Sequence, residues 1–210
     1  MRFLICQRCG RLLSLVMRIS GGQARGITLL VPKGDAVRPA TDGMRQAVFS
    51  SVAARLPGVR FLDLFAGSGA YGLEAFSRGA AGGVFVERNP KAAACLRQNI
   101  AAVGRSMRVE TSGLIVTTAD AVQAPWLDAA PPDIVFIDPP YELIPEVAPR
   151  LFARLSGLLA SHPDPVIVFE MPGELSMTPP DWTEVKRLGR GAHQPTVVFF
   201  RRTTSLRAAP

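Results

Sequence analysis

Two short apolar runs, joined by a glycine-rich loop and a helical stretch, restrict this chain more than any other feature. Phe61-Leu62-Asp63-Leu64-Phe65 reads as a buried strand. It runs into Ala66-Gly67-Ser68-Gly69-Ala70-Tyr71-Gly72, then a helical stretch over Leu73 to Arg78, closed by Gly79. Gly83-Val84-Phe85-Val86 reads as a second strand and ends in Glu87. Strand, loop, helix and strand in this order form a βαβ unit and call for a parallel sheet. Gly67, Gly69 and Gly72 satisfy G-x-G-x-x-G, and glycines let a backbone turn sharply and approach a ligand closely. Alone, the pattern describes a tight strand-to-helix turn equally well. Glu87 follows Gly67 by 20 residues, the separation at which a doubly wound sheet sets an acid against a ribose diol.

The alternation continues along the chain. Residues 27–31 read as a strand, 32–35 as a turn, and 41–55 as a helix with Thr41 as N-cap and Asp42 in its first turn, stopped by Pro57-Gly58. Strands are expected at 61–65, 84–87, 114–118, 133–138 and 165–170, and helices at 70–78, 90–103 and 144–160. Asn89 can cap the helix that begins at Pro90, and Gly104 is expected to end it. Residues 185–188 and 196–200 can form a closing hairpin. The fold class is therefore α/β and Rossmann-like, a mainly parallel sheet with helices on both faces, plus a short N-terminal strand and helix extension. Ligands of such sheets sit at the carboxyl ends of the strands. The glycine loop, Glu87, Asp120 and residues 138–141 all fall on that edge.

Asp138-Pro139-Pro140-Tyr141 closes the apolar run Ile134-Val135-Phe136-Ile137. The prolines fix their own φ and hold the turn extended and stiff. They carry no N–H, so their carbonyls and the Asp138 carboxylate make an acceptor-rich pocket, and Tyr141 offers a ring face. Such a pocket suits the exocyclic NH₂ of a nucleobase; an ordinary proline-rich turn is the plain alternative. Asp63, just before the glycine loop, would repel a pyrophosphate but attract the ammonium and sulfonium of S-adenosylmethionine. Hydride transfer gives the acceptor pocket no clear work, whereas amine methylation does. Candidate cofactor positions are Asp63, Phe65, Gly67, Ser68, Gly69, Glu87, Arg88, Asp120 and Ala121, although Asp120 reads as a helix cap just as well.

The segments 63–80, 84–89 and 133–141 resemble the RsmD-type bacterial small-subunit rRNA guanine-N2 methyltransferases. So do Met17 to Gly22 with Arg25-Gly26, and Arg38-Pro39-Ala40-Thr41-Asp42 through Arg45 and Phe49. The resemblance spans roughly 17–201. Gly43 stands where the family usually has Arg, and Gln46 where it has Glu. It implies a class I methyltransferase fold and transfer from S-adenosylmethionine to a guanine N2 in 16S rRNA, within a protein-bearing small subunit. Asp138, Pro139, Pro140 and Tyr141 would form the catalytic pocket. The same chemistry leaves open a DNA amino-methyltransferase or a protein glutamine methyltransferase, and a non-catalytic RNA-binding protein with a vestigial cofactor fold.

Charge divides the chain. Residues 1–60 carry a net +8, 61–182 a net −6 and 183–210 a net +5. A cationic cofactor favours the acidic middle, and a phosphate backbone favours the basic ends. Arg18, Arg25, Arg38, Thr41 and Arg45 are the candidate RNA contacts. Expected domains are an extension over 1–16, disordered and basic, an RNA-docking segment over 17–58, a catalytic domain over 59–202 and a tail over 203–210. Hydrophobic residues make up 48% of the chain, which excludes disorder as its main state. No apolar run approaches the roughly 20 residues of a spanning helix, and a monomeric cytoplasmic protein is expected. Cys6 and Cys9 form C-x-x-C, but zinc needs two more ligands and only His162 and His193 are on offer, so no metal is expected. Cys95 reads as a core or boundary residue.

Overall fold

The computed structural model describes residues 4–5, 12–13, 17–31, 42–126, 130–189, 191 and 194–203. The expectations for Cys6, Cys9, Arg38, Thr41 and His193 lie outside them. β1 (Leu4–Ile5) and β2 (Leu12–Leu13) pair antiparallel with each other. Then come α1 (Asp42–Ser51), β3 (Arg60–Leu64), α2 (Ala70–Ser77), β4 (Gly82–Val86), α3 (Pro90–Met107), β5 (Leu114–Thr117) and β6 (Ile134–Ile137). The chain continues through α4 (Ile144–Leu158), β7 (Val166–Pro172), β8 (Trp182–Leu188) and β9 (Pro195–Arg202). Among the described residues no helix is long and apolar enough to cross a membrane.

The main sheet runs β5-β4-β3-β6-β7-β9-β8. Strands β3 to β7 are parallel, and the β8–β9 hairpin closes one edge antiparallel. The parallel strands read as unbroken apolar runs because both faces are covered. Leu62, Leu64, Val86, Val135 and Ile137 pack toward α4. Phe61, Phe85, Phe136 and Val168 pack toward α1, α2, α3 and the segment from Met17 to Leu29. The chain enters at β3, moves outward through β4 and β5, and returns to the other side at β6. Strand order therefore reverses between β3 and β6, which opens a crevice at their carboxyl ends.

Three expected elements differ. The strand at 27–31 is a single antiparallel bridge, Arg18 to Thr28, flanked by Leu29 N–H to Met17 O (2.8 Å) and Ile19 N–H to Ile27 O (2.9 Å). The helix expected to reach residue 55 stops at Ser51, and a 3₁₀ turn spans Ala53–Arg55. Helix α3 passes through Gly104 to Met107 and ends on Arg108 in the left-handed region, φ 57°. Gly104 makes room for the returning chain, since a Cβ there would lie 2.5 Å from Thr111 Cγ2. The cap of α3 is as expected: Asn89 Oδ1 accepts from Lys91 N–H (2.9 Å), with Pro90 at the first position.

Helix α2 lies so close to the sheet that the motif's third glycine, Gly72, has no room for a side chain. A Cβ on Gly72 would come 2.3 Å from the Phe85 ring and 2.6 Å from that of Phe61, which meet edge to face at 5.1 Å. Gly72→Ala would gain ~1 kcal/mol of helix propensity but overpack this contact, so a net destabilisation of about 1–3 kcal/mol is expected. Urea unfolding of the variant measures it; an unchanged or raised midpoint contradicts the close approach.

Candidate active site

The loop after β3 is built from residues that tolerate a left-handed backbone. Gly67 and Gly69 have φ of 53° and 81°, and Phe65, which has no such freedom, is held at 63°. Positive φ at a non-glycine residue stores strain that its surroundings must offset. Here Ala66 N–H donates to Val86 O (3.0 Å), and Gly69 N–H closes the turn on Ala66 O (2.6 Å). Glu87 braces the loop from the next strand: its Oε2 accepts from Gly67 N–H (2.8 Å) and its Oε1 from Asn89 N–H (2.7 Å). Each oxygen keeps a second lone pair, which a ribose hydroxyl can use. Arg88 beside it is exposed.

Asp63 is buried, and its Oδ2 accepts from Gly72 N–H (2.9 Å) in the first turn of α2. This carboxylate reaches an N–H that Gly69, as N-cap without a side chain, leaves unserved. Burial, with a smaller push from Glu87, raises its pKa from 3.8 to about 7 despite that hydrogen bond. Ser68 is buried with its hydroxyl against Met17 Sδ, and its carbonyl accepts from Asn99 Nδ2 (2.9 Å). On the other side of β4, exposed Asp120 works as a turn cap: its Oδ1 accepts from Val122 N–H (2.7 Å). Buried Ala121 receives the Trp126 indole N–H on its carbonyl (2.7 Å), and Arg154 of α4 lies 3.8 Å over the Trp126 ring. The wall after β5 is thus pinned to α4.

Across the crevice, Asp138 and Pro139 leave β6 half-buried and buried, while Pro140 is exposed. Not every carbonyl of this turn is free: Pro140 O accepts from Leu143 N–H (2.9 Å), closing the 3₁₀ turn Tyr141–Leu143. Tyr141 is half-buried and its hydroxyl donates to Glu170. The same carboxylate receives the Tyr71 hydroxyl at 2.9 Å. Burial first, then the nearby Glu170 and Asp63 carboxylates, push the Asp138 pKa well above its ordinary value. Burial also raises Glu170, against its two tyrosine donors and the charge of Arg45. Glu170 and Tyr71 are absent from the site that the sequence leads one to expect. A signal exists for Glu170: the apolar run 165–169 leads into this acid, as the runs before Glu87 and Asp138 do.

Arg45 is a correction. Expected on the RNA-facing surface, it is 1% exposed, with its guanidinium on Asp42 Oδ1 (2.6 Å) and on Arg18 O (2.7 Å). It sits on the face of α1 that carries Val48 and Phe49 into the core, where no phosphate can reach it. Arg18 and Arg25 are exposed.

The row Asp63, Asp138 and Glu170 lies toward the carboxyl ends of β3, β6 and β7. Such a cluster fits a cationic ligand, and the strained loop and Glu87 fit a nucleoside beside it. Asp63 also makes stability depend on pH. With a folded pKa of about 7 and an unfolded one of 3.8, it stays protonated in the fold after it would ionise in the unfolded chain. Its contribution is fully present below pH 3.8 and is lost as pH rises toward 7. Urea unfolding of wild type and Asp63→Asn across this range should show the wild type losing stability relative to the variant, on the order of a few kcal/mol. A difference independent of pH contradicts the buried, protonated acid.

The family described as Conserved hypothetical protein 95 matches residues 17–199. The Ribosomal RNA small subunit methyltransferase D of Escherichia coli K12 is 34% identical over 169 residues, covering 80% of this chain and 81% of that protein. The solved structure of "Putative methyltransferase yhhF" from Escherichia coli superposes with a TM-score of 0.71 at 29% identity, over 89% of this chain and 97% of the other. At 12% identity and a TM-score of 0.60, the solved structure of "SMU.776, a putative methyltransferase complexed with SAH" shares the fold over 75% of this chain and 49% of its own. The chain belongs to the Conserved hypothetical protein 95 family, which is the RsmD family its motifs resemble.

Proposed function

We propose that this chain is an S-adenosylmethionine-dependent rRNA methyltransferase whose acceptor is the exocyclic N2 amine of a guanine in 16S rRNA. The observation that carries this reading is the pairing of two loops across one crevice. The braced glycine loop after β3 and the Asp138-Pro139-Pro140-Tyr141 turn after β6 flank the point where strand order reverses. Family membership and the name of the Escherichia coli relative support ribosomal RNA of the small subunit as the substrate class.

When bound, S-adenosylmethionine supplies an electrophilic methyl group on a cationic sulfur. Asp63 and the rest of the acidic row favour that cation, and the free lone pairs of Glu87 would accept from the ribose hydroxyls. The guanine N2 lone pair is delocalised into its ring, so it must be held in line with the methyl group. The Asp138 carboxylate and the Pro139 carbonyl accept its hydrogens and orient it, and the Tyr141 ring stacks on the base. Positioning and fixed electrostatics then carry most of the acceleration. The raised proton affinity of Asp138 also suits it to hold a proton that N2 sheds. The base must leave its stack to enter. Residues 59–202 would form this catalytic domain and 17–58 the docking segment, with exposed Arg18 and Arg25 meeting phosphates; Arg38 and Thr41 remain candidates for the same surface.

Asp138→Ala should lower turnover at least about 100-fold, since it removes an acceptor used in the transition state. Asp138→Asn, which keeps a carbonyl oxygen, should retain more. Single-turnover methylation of small-subunit particles gives the rates, and calorimetry with S-adenosylhomocysteine should find the affinity of both variants near wild type. Wild-type turnover in both variants contradicts the role of the turn, and loss of cofactor affinity in both makes it structural.

A further inference from the structure

Glu170 is unusual for its place. It lies within a seven-residue apolar strand, is 2% exposed, and takes hydroxyl donors from two different elements. Burying a carboxylate costs several kcal/mol in real proteins unless it is paired and hydrogen-bonded. An apolar residue would serve the core without that cost. Its surroundings suggest what the carboxylate does instead. Parallel pairing of β6 with β7 sets Ile137 beside Phe169, so the next residues along, Asp138 and Glu170, emerge as neighbours at the carboxyl edge.

The two donors differ in how they are held. Tyr71, in the first turn of α2, is 6% exposed and stacks on Phe136 with ring centroids 5.4 Å apart at 20°. It is fixed by the core whatever the crevice holds. Tyr141 sits on the 3₁₀ turn beside the crevice and is half-buried. One carboxylate thus ties the crevice-side ring to a core-locked ring on the helix that follows the glycine loop. Among the described residues, Arg45 from α1 acts on Glu170 as a cation, and Asp138 just past β6, itself close to Asp63 of β3, faces it as a second acid.

We propose that Glu170 is a positioning residue for the target base, acting through the Tyr141 hydroxyl to set the plane of the ring on which that base stacks. This rests on the reading of the Asp138-Pro139-Pro140-Tyr141 turn as the base pocket. Through Tyr71 the same carboxylate registers the pocket against the cofactor-side helix, so ring and methyl donor are held in one frame. Glu170 touches neither substrate nor cofactor.

A double-mutant cycle tests this, with Glu170→Gln, Tyr141→Phe and the double variant assayed on small-subunit particles alongside Asp138→Ala. Each single variant should lower kcat about tenfold, as for a lost hydrogen bond to a charged group. The RNA KM and the S-adenosylhomocysteine Kd should change by less than about twofold. The double variant should be no worse than either single one, because both remove the same link. Additive losses, or a Glu170→Gln variant with wild-type kcat while Asp138→Ala is inactive, would overturn the inference. An active Asp138→Ala would instead overturn the pocket reading beneath it. If Glu170→Gln does not fold, Tyr141→Phe, which removes one half-buried hydroxyl, still decides: a wild-type kcat overturns the proposal.

Discussion

Three carboxylates crowded together at the carboxyl edge of adjacent strands set the conditions for everything around them. Asp63 and Glu170 are buried and Asp138 half-buried at the edge of β3, β6 and β7, where the apolar residues that precede them carry them. Each must be protonated, hydrogen-bonded or met by a cation. The fold supplies the Gly72 N–H to Asp63, two tyrosine hydroxyls to Glu170, and Arg45 from α1. What remains is a site with raised proton affinities and a standing preference for positive charge. A cofactor carrying a sulfonium and an ammonium relieves that imbalance, whereas a pyrophosphate would worsen it. The same constraint explains why Arg45 is kept inside the protein.

The N-terminal segment is not an appendage to this site. Ser20 gives its N–H and its hydroxyl to the two oxygens of Glu74 (2.7 and 2.8 Å), and Ala24 N–H donates to the Ser77 hydroxyl (2.9 Å). Both partners are buried on α2. Gly22, at φ 77°, passes so near that a Cβ would lie 2.1 Å from Ser77 O. Asn99 on α3 holds both backbone groups of Leu30 and also the Ser68 carbonyl of the glycine loop. The surface bearing Arg18 and Arg25 is therefore clamped to the helix and loop that shape the crevice. A ligand bound to that surface would be held in register with the crevice.

Much of this architecture is legible in the amino-acid sequence. The apolar strands, the glycine loop and the cap at Asn89 follow from local chemistry, and β3 to β7 form where the apolar runs lie, within a few residues. Gly67 and Gly69 are needed for backbone angle and Gly72 for space, a division of labour the motif implies but only the Phe61 and Phe85 rings make physical. What stays hidden in the sequence is what depends on distant partners. Residues 27–31 look like a strand, yet their pairing is limited to the short stretch from Met17 to Ile19. Gly104 looks like a helix stop, but is a contact for Thr111. Arg45 looks like a surface cation because its charge is visible in the sequence and its burial against Asp42 is not. Glu170 is legible in principle as a third acid following an apolar run; its two tyrosines, 99 and 29 positions away, are not.

The central claim is the chemical identity of the acceptor, and the product tests it most directly. Purified protein and isotopically labelled S-adenosylmethionine are incubated with small-subunit particles from cells lacking this chain, with naked 16S rRNA, with duplex DNA and with a glutamine-bearing protein. Mass spectrometry of the digested products then locates the label. The account predicts N2-methylguanine at a single nucleotide of 16S rRNA, lost in Asp138→Ala. Label in DNA or on protein glutamine, or on any other atom of the RNA, would contradict it.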